Sequence, residues 1–264
     1  MKIGFIGCGN MASAIMGGII KNHVFAPEAV YGTDVLPAAC EKVAEKFGIQ
    51  IASGNVDLAK AVDIIVLAVK PQYYQPVIEE IKDVITAEQL VMTIAPGKTL
   101  EWLGSLFGKP VKIVRTMPNT PAMVGKGMTA MCHNDLVGEA ELEVAGRILS
   151  GIGEYEIVGE HLMDAVVGVS GSSPAYVFMF IEAMADAAVM GGMPRQQAYK
   201  FAAQAVEGSA AMVRELGRHP GDLKDMVCSP AGTTIEAVAV LEDKGFRSAV
   251  IEAMRVCMEK SGKM

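Results

Sequence analysis

Gly4-Phe5-Ile6-Gly7-Cys8-Gly9-Asn10-Met11-Ala12, at the head of the chain, is the stretch on which the fold turns. Residues 3–6 have the apolar, β-branched character of a strand, and residues 11–21 the small-residue pattern of a helix. Between them Gly7, Gly9 and Ala12 fit the G-x-G-x-x-[GA] spacing of a dinucleotide-binding turn. The first glycine permits a tight turn, and the second lets main chain approach a pyrophosphate. The third small residue lets helix and strand pack closely, and the helix N-terminus favours the anion. A glycine-rich packing turn is the competing reading. The strand–turn–helix context favours a nucleotide, as does a second strand over residues 29–33 that reaches Asp34 about twenty residues on. Ile6, Gly7, Cys8, Gly9, Asn10, Met11, Thr33 and Asp34 are the candidate nucleotide contacts.

Asp34 bears on which nucleotide. A carboxylate at the end of the second strand accepts hydrogen bonds from a ribose diol and repels a 2′-phosphate, which favours NADH over NADPH. Lys42 and Lys46 lie too far along the next helix to rescue phosphate binding. Thr33-Asp34-Val35-Leu36 also reads as the N-cap of that helix, and this second reading stays open.

Working outward, residues 63–69 form a nearly all-apolar strand of the kind buried on both faces of a parallel sheet, stopped by Pro71. Further strands are expected over 90–94 and 111–114, with helices over 37–47 and 100–107. Alternating strands and helices mean βαβ units, hence an α/β, Rossmann-type doubly wound sheet over residues 1–160. After about Glu160 the pattern becomes helical, over 175–190, 195–216, 232–241 and 246–260. Residues 161–264 are therefore expected to form an all-helical second domain.

Composition narrows the function. Of 264 residues, 51% are hydrophobic and only 20% charged and 6% aromatic, which excludes a disordered chain and makes the apolar mass aliphatic. A net charge of −7 argues against nucleic acid as the main ligand. The most membrane-like run, 175–193, is interrupted by Glu182 and Asp186, and the N-terminus shows no basic leader, so no membrane partner and a cytoplasmic location are expected. So few charges on a soluble chain point to apolar faces covered in an oligomer. Five scattered cysteines and four separated histidines give neither a disulfide framework nor a metal site. Glu182 and Asp186, four apart on a helix, read as an ion-paired face rather than ligands. His219, before Pro220-Gly221, reads as a turn residue.

Several phrases go beyond a generic dinucleotide fold. They are Ala68-Val69-Lys70-Pro71-Gln72, Arg115-Thr116-Met117-Pro118-Asn119-Thr120-Pro121, Gly168-Val169-Ser170-Gly171-Ser172-Ser173-Pro174, and His219-Pro220-Gly221-Asp222-Leu223-Lys224 leading into Ser229-Pro230-Ala231-Gly232-Thr233-Thr234. With the opening fingerprint they run in order through the chain, and together they closely resemble the pyrroline-5-carboxylate reductase family, the last enzymes of proline biosynthesis. The resemblance implies hydride transfer from NAD(P)H to the imine carbon of 1-pyrroline-5-carboxylate. It also implies homodimers through the helical domain, often gathered into larger rings. The active site would lie where the Rossmann domain of one subunit faces the helical domain of another.

The resemblance also assigns residues. Asn55 would lie on the adenosine side, Ala68, Val69, Lys70 and Pro71 along the cofactor, and residues 117–120 beside the nicotinamide. By themselves Lys70 is a solvated lysine ending a strand and Asn55 an ordinary turn residue. In the last phrase Ser229 suits an N-cap and Pro230 the first turn of a helix, leaving N–H groups around Gly232 and Thr233 to hold the substrate carboxylate. The resemblance places the Thr234 hydroxyl at the ring nitrogen, as the catalytic group; simple helix capping is the plainer alternative. Two positions depart from the family: Asp34, where NADP-using relatives often carry a small polar residue, and Met226. A β-hydroxyacid dehydrogenase is the enzyme rival, but the 175–190 helix lacks the lysine such enzymes use. A non-enzymatic nucleotide sensor is the other, and it would need no carboxylate cradle.

Overall fold

The computed structural model describes residues 1–94 and 96–263. Its first strand, β1 (Ile3–Ile6), is buried along its whole length. That requires neighbours on both edges and layers on both faces. The chain supplies them through α1 (Asn10–Lys21), β2 (Val30–Thr33), α2 (Pro37–Phe47), β3 (Gln50–Ile51), α3 (Asn55–Ala61) and β4 (Ile64–Leu67). It continues through α4 (Tyr74–Ile81), β5 (Leu90–Thr93), α5 (Leu100–Phe107) and β6 (Lys112–Met117). The sheet runs β3-β2-β1-β4-β5-β6, all parallel, so the chain reverses its direction of travel across the sheet between β1 and β4. Ile6 pairs with Thr33 on one side and Leu67 on the other, which brings three strand ends level at the carboxyl edge.

Strand alternation sorts the core into two layers. Ile3, Phe5, Ile64, Val66 and Met92 face α1 and α2, whereas Ile6, Ile65, Leu67, Val91 and Ile113 face α3, α4 and α5. Past β6 the sheet gains an antiparallel strand, β7 (Gly127–His133), then α6 (Glu139–Ser150) and β8 (Gly153–Ile157), parallel to β7.

The structure moves some expected boundaries. β4 ends at Leu67 rather than at residue 69, so Ala68 and Val69 belong to the loop. β6 runs on to Met117 rather than stopping at 114, because β7 pairs Arg115 with Cys132 and Met117 with Ala130. The region after 160 also stays with the sheet further than expected. One compact unit comprises Met1–Ser172 together with the chain from Cys257 onward, and the other is Ser173–Val256. The reason is polar as well as apolar: Arg115 Nη1 pairs with Glu160 Oε1 at 2.7 Å, Met163 is buried beside Ala130 and Cys132, and Ser261 Oγ donates to Asp164 at 2.7 Å.

The second unit holds α8 (Ser173–Met190), α9 (Arg195–Leu216), α10 (Pro220–Val227), α11 (Thr233–Asp243) and most of α12 (Phe246–Ser261). Ala185 is the only buried residue of α8, and Phe178 and Met190 stand 62% and 89% exposed. The helical run Glu160–Met190 is long and apolar enough to cross a membrane by length and composition, with 6% of its apolar window buried. This is the aliphatic excess seen in the composition, here located on one set of helices.

Gly153 tests the sheet extension. Its φ is +146° and a Cβ there would collide with the carbonyl oxygen of Gly127 on the paired strand. Gly153→Ala is therefore expected to cost about 2 kcal/mol or more of stability, read as a lowered denaturation midpoint. A midpoint equal to that of the unsubstituted protein would show that β7 and β8 are free to separate.

Candidate active site

The turn after β1 is wedged at the point where the sheet reverses. Gly7 has φ +102° and donates its N–H to Thr33 O at 2.8 Å. A Cβ on Gly7 would stand 2.7 Å from Ala68 O, beyond the end of β4. Gly9 is different: its backbone is extended, at φ −71°, and a Cβ would meet nothing within 4 Å. The Gly9 side is thus open space, as a pyrophosphate needs. No side chain caps α1, so the first-turn N–H groups of Asn10, Met11 and Ala12 are left open to an anion, with the positive end of the helix dipole behind them. Ala12 is buried against the sheet, as its small size allows. Ile6 and Thr33 are buried too, so what they offer a nucleotide is main chain.

Asp34 sits half-buried beyond β2. Its Oδ2 accepts the N–H of Cys8 at 2.8 Å and its Oδ1 the N–H of Leu36 at 2.9 Å. The second bond closes an Asx turn; α2 starts at Pro37 with Leu36 before it, so Asp34 is not the N-cap of that helix. The carboxylate instead ties the nucleotide turn to the end of β2. Cys8 lies beneath, 5% exposed, and burial, with Cys40 and Asp34 adding to it, pushes its thiol up from 9.0 to about 12. Burial beside Glu160 likewise raises Cys132 to about 11.

The remaining loops of the carboxyl edge follow the same register. Lys70 is exposed and extended before Pro71, and among the described residues its side chain meets no partner. Asn55 opens α3 and donates to Glu80 Oε2 at 2.7 Å, which anchors α3 to α4. β6 ends at Met117 and residues 118–119 follow it, with Thr116 Oγ1 inside the strand donating to Thr93 O at 2.7 Å. Sequence reasoning passed over the Arg115–Glu160 pair, in which Glu160 Oε1 also accepts the N–H of Leu100 at 2.7 Å. A charged residue inside an apolar strand was the available signal.

Ser229, Gly232, Thr233 and Thr234 belong to the second unit, and their local geometry corrects one expectation. Ser229-Pro230-Ala231-Gly232 is a turn closed by Gly232 N–H to Ser229 O at 3.0 Å, and α11 begins only at Thr233, with Gly232 as its N-cap. Ser229 does not cap a helix, and Pro230 stands in the turn, whose second position its fixed φ suits. The N–H of Gly232 is consumed in closing that turn. The free donors are those of the first turn of α11, at Thr233, Thr234 and Ile235. Ala231 has φ +56°, where glycine fits better, at a cost of about 1–2 kcal/mol. A Cβ on Gly232 would collide with Ser229 Oγ. The hydroxyls of Ser229, Thr233 and Thr234 meet no protein partner among the described residues. His219 Nδ1 accepts from Gly221 N at 3.0 Å and caps α10, and Arg195 pairs with Asp186 at 2.5 Å, so both are structural as expected. Among the described residues no cluster of three or more His, Cys, Asp or Glu could hold a metal ion.

A dinucleotide turn at the reversal point of a 3-2-1-4-5-6 parallel sheet, followed by a helical unit, defines a nicotinamide-nucleotide oxidoreductase with an appended helical domain. Residues 2–97 match the family model described as NADP oxidoreductase, coenzyme F420-dependent. Residues 160–264 match that described as pyrroline-5-carboxylate reductase dimerisation. The chain is 55% identical over 263 residues to the pyrroline-5-carboxylate reductase of Escherichia coli, covering 100% of this chain and 98% of that one. Among solved structures it is similar to a pyrroline-5-carboxylate reductase from Coxiella burnetii (TM-score 0.91, 34% identity, 99% of this chain and 97% of that one). It is also similar to the Plasmodium falciparum pyrroline carboxylate reductase solved with NADP bound (TM-score 0.89, 31% identity, 100% and 97%). The chain belongs to the pyrroline-5-carboxylate reductase family. It is an NAD(P)H-dependent oxidoreductase that reduces pyrroline-5-carboxylate to proline, and its C-terminal part is a dimerisation domain, which makes it a homo-oligomer. The dehydrogenase and sensor readings give way to this one.

Two measurements test the turn. Gly9→Ala is expected to change stability by no more than about 1 kcal/mol while weakening cofactor binding at least tenfold, because only the ligand needs that space. Unaltered cofactor affinity would remove Gly9 from the site. The buried thiols set a pH limit. Between pH 9.0 and about 12 the unfolded chain sheds a Cys8 proton that the folded chain keeps, so stability is full below that window and falls as pH rises through it. Cys8→Ala should flatten part of that fall in denaturation midpoints; an identical slope would show that Cys8 is not a source of it.

Proposed function

We propose that this reductase favours NADH and holds its substrate at the first turn of α11, with Thr234 at the reacting nitrogen. The observation that carries the cofactor preference is the Asp34 carboxylate, fixed by the N–H groups of Cys8 and Leu36 where the ribose of the adenosine half would lie. So anchored, it accepts from a 2′,3′-diol and repels a 2′-phosphate. When bound, the nicotinamide supplies the hydride. Gly7 and Gly9 shape the pyrophosphate turn, Asn10 and Met11 offer it N–H groups, and Ala68, Val69, Lys70 and Pro71 form the adjoining wall. Thr33 and Ile6 contribute main chain, and Asn55 stands on the adenosine side.

The substrate is a cyclic imine carrying a carboxylate, and its reduction needs a grip on the carboxylate and a hydrogen-bond donor at nitrogen. The N–H groups of Thr233, Thr234 and Ile235 supply the grip, with Gly232 keeping the approach clear beside Ser229. The Thr234 hydroxyl donates to the imine nitrogen and steadies the amine as the proton arrives. No metal enters this chemistry. The exposed apolar helices are covered by a second copy of the chain, with dimers gathered into a ring. Neither nucleic acid nor membrane is a partner, and the setting is the cytoplasm.

Steady-state kinetics with both cofactors test the proposal. Asp34→Ser should raise kcat/KM for NADPH relative to NADH by tenfold or more, the equivalent of about 1.4 kcal/mol. An unchanged ratio would leave Asp34 as an Asx-turn residue only. Thr234→Ala should lower kcat by roughly tenfold to a hundredfold with little change in cofactor KM, as for a lost hydrogen bond to a nitrogen on which charge develops as the hydride is transferred. A kcat within a factor of about two would remove Thr234 from the reacting nitrogen.

A further inference from the structure

We propose that Asn119, at the end of β6, is a positioning residue that acts through the main chain of Ser170. Asn119 is 8% exposed, and both ends of its amide are engaged with main chain from different segments. Its Nδ2 donates to Ser170 O at 3.0 Å and its Oδ1 accepts the N–H of Met128, in β7, at 2.9 Å. Ser170 belongs to a π-helical turn, Val167–Gly171, that lies between α7 (Met163–Val166) and α8. Such single wide turns interrupt the regular hydrogen-bond ladder and recur at functional sites. This one is braced by Ser172 N–H to Val167 O at 2.8 Å, by Ser170 Oγ to Val166 O at 3.1 Å, and by Cys257 Sγ against Ser172 Oγ at 3.1 Å. The β6 loop and the turn are packed together as well as hydrogen-bonded. A Cβ on Gly171 would stand 2.8 Å from Met117 Cε.

The chemistry of the clasp is specific to an amide. One end must donate to a carbonyl while the other accepts from an N–H, within reach of a two-carbon side chain. Aspartate keeps the acceptor and sets a carboxylate against Ser170 O; alanine keeps neither bond. The clasp joins two things: the loop at the carboxyl end of β6, on the edge where an open parallel sheet binds ligands, and the turn from which α8 departs. Asn119 thereby fixes the wall beyond β6 with both ends of its amide spent on main chain, an inference that rests on the carboxyl edge being the cofactor edge.

The test uses the assembled full-length enzyme with Asn119→Asp and Asn119→Ala. Both are expected to lower kcat at least tenfold while cofactor KM moves less than about threefold, the split that misplacement without lost binding produces. Amide hydrogen exchange at Gly171 and Ser172 should quicken at least tenfold in Asn119→Asp, with the amides of β1 and β4 unchanged. A kcat within about twofold of the unsubstituted enzyme overturns the proposal, and so does faster exchange spread evenly over the sheet, which marks a purely structural residue. Failure of the underlying reading shows separately, as cofactor affinity untouched by Gly9→Ala.

Discussion

The wedge at Gly7 is the constraint on which the first unit depends. One residue in a left-handed conformation donates to the end of β2 and lies against the carbonyl that follows β4. Because of it, three neighbouring strands end level, and α1 starts with its uncapped N–H groups above the point where the sheet reverses. The carboxylate of Asp34 depends on the same wedge, since it reaches the Cys8 N–H only while Cys8 is held by its neighbour. The turn is thus shaped before any ligand arrives, which lowers the ordering cost of binding.

The second unit solves a different problem with the same resources. Its helices leave Phe178, Met179, Phe201, Val240 and Ile251 exposed, a pattern that an isolated chain in water does not sustain and that a dimerisation domain explains. Glu182 and Asp186 in α8 belong to this account. They set two carboxylates within the apolar Glu160–Met190 run, and the ion pair from Asp186 to Arg195 fastens α8 to α9.

How far the sequence could be read depended on whether a residue has one physical use or several. Gly7 and the apolar run at 64–67 have essentially one each, and both lie where they were expected. The strand Gly127–His133 was missed because small, sulfur-bearing and polar residues alternate in it without a strong period, and its pairing comes from β6 rather than from itself. Pro230 shows the opposite difficulty. Proline suits the first turn of a helix and the second position of a β-turn equally, and only the closing bond from Gly232 to Ser229 decides between them. Asp34 was legible as a carboxylate at the end of β2, but its bond to Cys8 spans the nucleotide turn and leaves no trace in local sequence. The bond from Asn119 to Ser170 crosses 51 positions and was invisible for the same reason.

The net charge of −7 now has a physical reading. Two anionic groups, a pyrophosphate and a substrate carboxylate, must bind to an acidic chain, and neither candidate site is built around a cluster of basic side chains. Each is instead the start of a helix whose flanking residue is a glycine without a side-chain cap: Gly9 before α1 and Gly232 before α11. Main-chain N–H groups bring partial positive charge at fixed positions and do not titrate. A lysine in their place would bring a full charge with a hydration shell to strip and a flexible stem to order. Glycine at the flank keeps the donors unoccupied, where serine or aspartate would satisfy them internally. The strain at Ala231 fits the same economy, because a residue held at φ +56° turns the chain sharply enough for α11 to begin at Thr233, one residue after the turn closes. Long-range charge then governs solubility and association, while at the two candidate sites an anion would meet the local field of a helix start, and the two need not agree in sign.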